Sequence, residues 1–104
     1  MSVAKLDEHA DGSASVLIDC PGCGMLHAPG VRAGSRPDFK VWGWNGSLDA
    51  PTFTPSILVT CEGYGPENKR VVCHSFVTDG RIQFLGDCTH ALAGQTVQLE
   101  EWNP

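Results

Sequence analysis

The sequence predicts an all-β domain: a small zinc-stabilised sandwich or open barrel of about six short strands, with at most one short helix. Short runs rich in β-branched and aromatic residues recur between closely spaced Gly, Pro, Asn and Asp turn signals. No sustained apolar periodicity of helical type interrupts them. Most of the cysteines fall with histidines into two groups of metal-ligand type, and a metal would supplement the modest core of so short a chain.

Composition narrows the function classes. The chain has 104 residues, so one domain is expected, with residues 1–13 an N-terminal arm or frayed tail and 14–104 a single zinc-binding β domain. The formal charge of −5 and seven scattered basic residues oppose a nucleic-acid surface. No apolar run approaches the roughly 18 residues of a membrane span. No basic-then-apolar leader is visible, so the expected location is the cytoplasm of the cell that makes it. Five cysteines in a reducing compartment favour a metal over a disulfide framework.

In chain order, Val3–Ala10 is weakly patterned, and Asp11-Gly12 could turn it into a hairpin with Ser15–Asp19. Cys20-Pro21-Gly22-Cys23-Gly24 has the form of a zinc knuckle, in which glycine lets backbone amides turn toward the sulfurs. His27 reads as a surface histidine or an alternative ligand. Ala28–Pro37 is a loop. Phe39–Trp44 reads as a strand followed by an Asn45-Gly46 turn, with Trp42 and Trp44 on one face as core side chains. Pro51 and Pro55 make Ser47–Ser56 an ordered extended loop, with Trp44, Asn45, Thr52 and Ser56 lining a candidate pocket alongside His74 or His90. Ser56–Cys61 is a strand, with Cys61 a spare buried thiol. Glu62–Arg70 is a polar surface loop. Thr89–Ala93 reads as one helical turn stopped by Gly94, with Asp87 as its cap, and Gln95–Glu100 as a half-buried strand. Trp102 folds back as a lid on the core.

The chain is organised around Val72–His90. Asp79-Gly80 fits a two-residue type I′ turn, because both residues tolerate positive φ. Pairing Thr78 with Arg81 puts Val77 opposite Ile82, Ser75 opposite Phe84 and Cys73 opposite Gly86. Cys73 and Cys88 then share one face about 6–8 Å apart, and His74 and Asp87 share the other. This parity selects Cys20, Cys23, Cys73 and Cys88 as a closed, structural Zn2+ set. A rival set replaces Cys88 by His74, and sets using His90 or His27 stay open. Asp87 beside His74 can orient an imidazole for base chemistry, with Ser75 the adjacent hydroxyl.

The blocks CPGCGMLH, WGWNGSLDAPTFTPSI and CHSFVTDGRIQFLGDCTHALAGQTV resemble a family of small zinc-binding proteins of tailed bacteriophages and prophages, often labelled "ammonia monooxygenase". That label would require membrane spans and a copper site, for which the sequence has no counterpart. More distant relatives look like metal-binding proteins of bacterial operons with ubiquitin-like conjugation components, which implies a metal near Cys20, Cys23, Cys73 and His74. The expected function is a phage or prophage structural-zinc domain that binds a protein partner in host takeover or counter-defence. The alternative is a small metal-dependent hydrolase working at His74, Asp87 and His90.

Overall fold

The computed structural model describes residues 2–64 and 69–102, and within them the chain is all-β. Nine strands form two antiparallel sheets of four and five strands. The first sheet comprises β1 (Lys5–Glu8), β2 (Ala14–Asp19), β3 (Leu26–His27) and β4 (Gly30–Arg32). The second runs β5 (Gly43–Trp44), β6 (Phe53–Tyr64), β7 (Lys69–Thr78), β8 (Arg81–Phe84) and β9 (Thr96–Gln98), paired in chain order. There are more strands than the six expected, and no helix among the described residues.

Alternation builds the core. Val16 and Ile18 of β2 are fully buried and join one cluster with Phe53, Val77, Ile82 and Phe84 of the second sheet, so the two sheets share a single apolar interior. Burying each such side chain contributes about 1.5–3 kcal/mol. On the other face of β6 and β7, Leu58 and Phe76 remain 55% and 41% exposed.

The β7–β8 hairpin forms in the expected register, with Thr78 opposite Arg81 and Ser75 opposite Phe84. Asp79 and Gly80 have φ of 49° and 77°, the signature of a type I′ turn. The N-terminal arm is a strand: β1 pairs with β2 from Lys5–Leu17 to Glu8–Ala14, across a turn closed by the His9 amide donating to the Ser13 carbonyl.

Several elements differ from expectation. Only Gly43–Trp44 of the Phe39–Trp44 run is strand. The Trp42 amide donates to the Gly30 carbonyl at 2.7 Å, and the Lys40 ammonium lies 4.7 Å from the Trp42 ring. These contacts hold the segment without a ladder. Asn45 does not take positive φ; its side chain ties the loop instead, accepting from the Ser47 and Thr52 amides and donating to the Ala50 carbonyl. Strand β6 begins at Phe53, earlier than the prolines suggest. Pro55, whose Thr54–Pro55 bond is cis, is accommodated in an interrupted ladder, where its missing N–H costs no pairing. Strands β6 and β7 also extend into the expected Glu62–Arg70 loop, of which residues 65–68 lie outside the described residues. Residues 89–93 make turns rather than a helix, and Gly94 has φ of 80°. Trp102 is half-buried, its amide donating to the Ser2 carbonyl.

Candidate functional site

The second sheet carries a different chemistry on each side of β7. On the buried side, the thiols of Cys20, Cys23 and Cys73 and the imidazole of His27 converge, with one potential ligand atom from each within 4.8 Å of all the others. Cys20 follows β2, Cys23 lies in the knuckle turn, and His27 sits opposite Ile18 on the returning strand β3. Cys73 comes from β7, so the group joins the two sheets. Gly24, with φ of 74°, donates its amide to the Cys20 carbonyl and closes the knuckle.

The distances suit a tetrahedral cation. Metal–sulfur bonds of about 2.3 Å put two ligating sulfurs about 3.8 Å apart. Cys20 Sγ and Cys73 Sγ are separated by 3.7 Å, and Cys23 Sγ is 3.2 Å from His27 Nε2. The crowded thiols share protons unevenly: hydrogen bonds from Cys20 and then Cys73 hold Cys23 far below the ordinary thiol range, at about 3. The Cys20 and Cys23 sulfurs push Cys73 up. A cluster that stabilises one thiolate so strongly is suited to a soft or borderline divalent metal. Cys20, Cys23, His27 and Cys73 could therefore hold a metal ion. His27, buried to 1% exposure, is not the surface histidine expected.

Cys88 and His90 make a second group with Cys73. The Leu92 amide donates to His90 Nδ1 at 3.2 Å. In the neutral ring Nε2 then carries the proton, and it points at Cys73 Sγ, 3.5 Å away. His90 in this tautomer is a hydrogen-bond donor to the Cys73 sulfur rather than a ligand. Its ring stands edge-on to Phe84 at 4.4 Å and against Gly22 of the knuckle, where an added Cβ would collide with the imidazole. Cys88 Sγ lies against the His74 backbone, 3.2 Å from both its amide nitrogen and its carbonyl oxygen. Cys61 is half-buried on β6 and belongs to neither group.

The open side of β7 holds a relay. Ser56 Oγ is 3.0 Å from His74 Nε2, and His74 Nδ1 is 3.1 Å from Asp87 Oδ2. An ionised Asp87 only accepts, so Nδ1 carries the imidazole proton and Nε2 is free to accept from the Ser56 hydroxyl. This is the bonding pattern of a serine nucleophile, its base and the orienting carboxylate. The irregular ladder aims the serine: Phe53 pairs with Val77 and Ile57 with Ser75, so Thr54, Pro55 and Ser56 together face Phe76. Such bulges re-aim side chains. The Ser56 carbonyl accepts from the Trp42 indole N–H at 3.2 Å.

Of the sequence candidates, His74 and Asp87 meet on the open face, while His90 lies on the metal side. Asp87 bonds His74 instead of capping a helix. Trp44 and Thr52 are occupied in holding the 45–52 loop, with Trp44 Nε1 donating to the Ser47 carbonyl and Thr52 Oγ1 accepting from the Asp79 amide. Only Ser56 of the expected pocket reaches a histidine. Ser75, next to His74 in sequence, is buried with its hydroxyl unpartnered. The sequence reading kept His27 as an alternative ligand and put Ser56 in the candidate pocket, but did not link Ser56 through His74 to Asp87. The signal for His27 was its position four residues after Cys23; Ser56 had no local motif.

No curated protein and no solved structure gives a significant match. Among the described residues no helix is long and apolar enough to cross a membrane. Residues 2–85 match the family model described as "Bacterial ubiquitination-like system serine protease (BubE)". Of the two resemblances drawn from the motifs, this match falls on the one to conjugation operons, and phage origin is no part of it. A family described by its serine chemistry, matched by a chain that aligns a serine, a histidine and an aspartate, leaves one assignment: the chain belongs to the BubE family.

Proposed function

We propose that the protein is a serine hydrolase that cleaves an amide bond in a polypeptide of a bacterial ubiquitination-like system. The observation that carries this is the Ser56–His74–Asp87 relay, at 3.0 and 3.1 Å. In this reading Ser56 Oγ attacks the carbonyl carbon as His74 Nε2 takes its proton. His74 then gives the proton to the leaving amine, and Asp87 stabilises the imidazolium between the steps. Water, deprotonated by the same imidazole, releases the acyl group. Exposed Leu58 sits directly opposite His74 in the ladder, and exposed Phe76 lies two residues along β7 on the same face. They offer apolar surface to an extended substrate chain, so the protein partner expected from sequence becomes the substrate itself.

In the same reading the metal is zinc, held by Cys20, Cys23, His27 and Cys73, where it would tie the two sheets together. Four protein ligands leave no open position, so its contribution is structural.

An active-site-directed fluorophosphonate tests the reading. The protein should form a covalent adduct located on Ser56 by peptide mass spectrometry, and Ser56→Ala should abolish it. Metal-loaded, folded protein that is not labelled, or is labelled at another residue, would refute the assignment.

A further inference from the structure

We infer that Cys88 is a positioning residue for the relay, a sulfur clasp on the His74 backbone; the inference rests on the serine-hydrolase reading above. The regular β7–β8 ladder stops at Ser75–Phe84, one residue short of His74. Beyond it the chain from Leu85 to Thr89 is fastened to β7 by separate bonds. The Leu85 amide donates to the His74 carbonyl at 2.9 Å, and the Thr89 amide to the Val72 carbonyl at 2.9 Å. The Val72 amide donates to Thr89 Oγ1 at 3.0 Å. Between these ties the His74 backbone is held by a side chain. It donates to Cys88 Sγ at 3.2 Å, and the Cys88 S–H points back to the His74 carbonyl at 3.2 Å.

One buried side chain thus holds both polar groups of the base's own peptide, and the residue before it in sequence is the base's carboxylate partner. Cys88 fixes the separation of His74 from Asp87 at their backbones, while the relay atoms meet on the far side of the strand. Apart from the imidazole bond, Asp87 is held in place by its neighbours' ties. Removing the sulfur takes away the His74 amide's sulfur acceptor and loosens the turn that carries Asp87. A displacement of about 1 Å between catalytic groups can cost about 100-fold in rate.

The competing role for Cys88 is metal ligation, and the two roles make opposite demands. The test compares wild-type protein, Cys88→Ala and Cys88→Ser for metal content by elemental analysis, for melting temperature, and for labelling by a small fluorophosphonate, resolved into its binding constant and its maximal rate. A clasp predicts that Cys88→Ala keeps its metal and its labelling saturation constant but loses 10-fold or more in maximal rate. Cys88→Ser, with a shorter but still bifunctional group, should recover part of that rate. Ser56→Ala serves as the control for the hydrolase reading: if wild-type labelling does not depend on Ser56, that reading fails and the clasp with it. If labelling depends on Ser56 but Cys88→Ala labels at the wild-type rate, the clasp alone is refuted. Loss of the metal from Cys88→Ala would make Cys88 a ligand and overturn it as well. If Cys88→Ala proves too unstable to purify, a slower maximal rate in Cys88→Ser with metal and melting temperature unchanged supports the clasp, and an unchanged rate overturns it.

Discussion

Cys73 and His74 are chain neighbours that serve opposite faces of one strand: the Cys73 sulfur lies 3.7 Å from Cys20 Sγ in the interior, and the His74 imidazole 3.0 Å from Ser56 Oγ on the open side. The pleat alone separates them. A cation held at the thiols therefore does not compete for the imidazole that is the base in the proposed mechanism, although the two residues share a peptide bond.

Asp87→Asn should leave the fold and metal intact and slow phosphonylation of Ser56 by a factor on the order of 10³–10⁴, as expected when the orienting carboxylate no longer selects the Nδ1–H tautomer. The rate of labelling measures this directly. A loss below about tenfold would mean that Asp87 only decorates His74, which its half-exposed position allows.

Metal retention should separate His27 from His90. His27→Ala removes one of four converging donors and should yield protein with substoichiometric metal. His90→Ala removes a hydrogen bond to the Cys73 sulfur and should keep one metal per chain, with affinity lowered about 10–100-fold. Competition against a chromophoric chelator distinguishes the two. Equal loss from both variants would make His90 a ligand.

Ser75→Ala should be neutral or stabilising by about 1 kcal/mol in urea denaturation, because the Ser75 hydroxyl is buried without a partner. Fluorophosphonate labelling should be unchanged. Destabilisation beyond that range would place an unseen partner at the hydroxyl, and lost labelling would move the nucleophile away from Ser56.

Strong chelation should abolish near-ultraviolet circular dichroism and labelling together. A structural metal is worth about 10 kcal/mol, comparable with the whole stability of a domain this size. Labelling that survives complete metal removal would show that the open face does not depend on the buried cluster.

The hairpin was legible because its determinants are local: Asp79-Gly80 specifies the turn, and counting outward puts Cys73 and His74 on opposite faces and His74 with Asp87. The knuckle was legible as far as Cys23. His27 stayed only an alternative ligand because its burial depends on the two-residue strand β3 pairing back onto β2, a contact no periodicity announces. Ser56 was placed near His74 but not paired with it, for a related reason. Its alignment with His74 depends on three residues facing one across the Pro55 irregularity, and on the Trp42 indole holding its carbonyl. Such long-range pairings override local pattern. The Phe39–Trp42 run has β-forming composition, yet the Trp42 amide and indole are taken by Gly30 and Ser56, which lie more than ten residues away in sequence.

The two-residue turn at Asp79-Gly80 also constrains how this chain can change length. Between Cys73 and Thr78 residues can be gained or lost only in pairs, unless a bulge absorbs the odd one. A single insertion there would hand the thiol to water and the imidazole to the interior, extinguishing both chemistries in one event. Parity along five peptide bonds thus acts as a reading frame for faces, as unforgiving of odd indels as the frame of a gene.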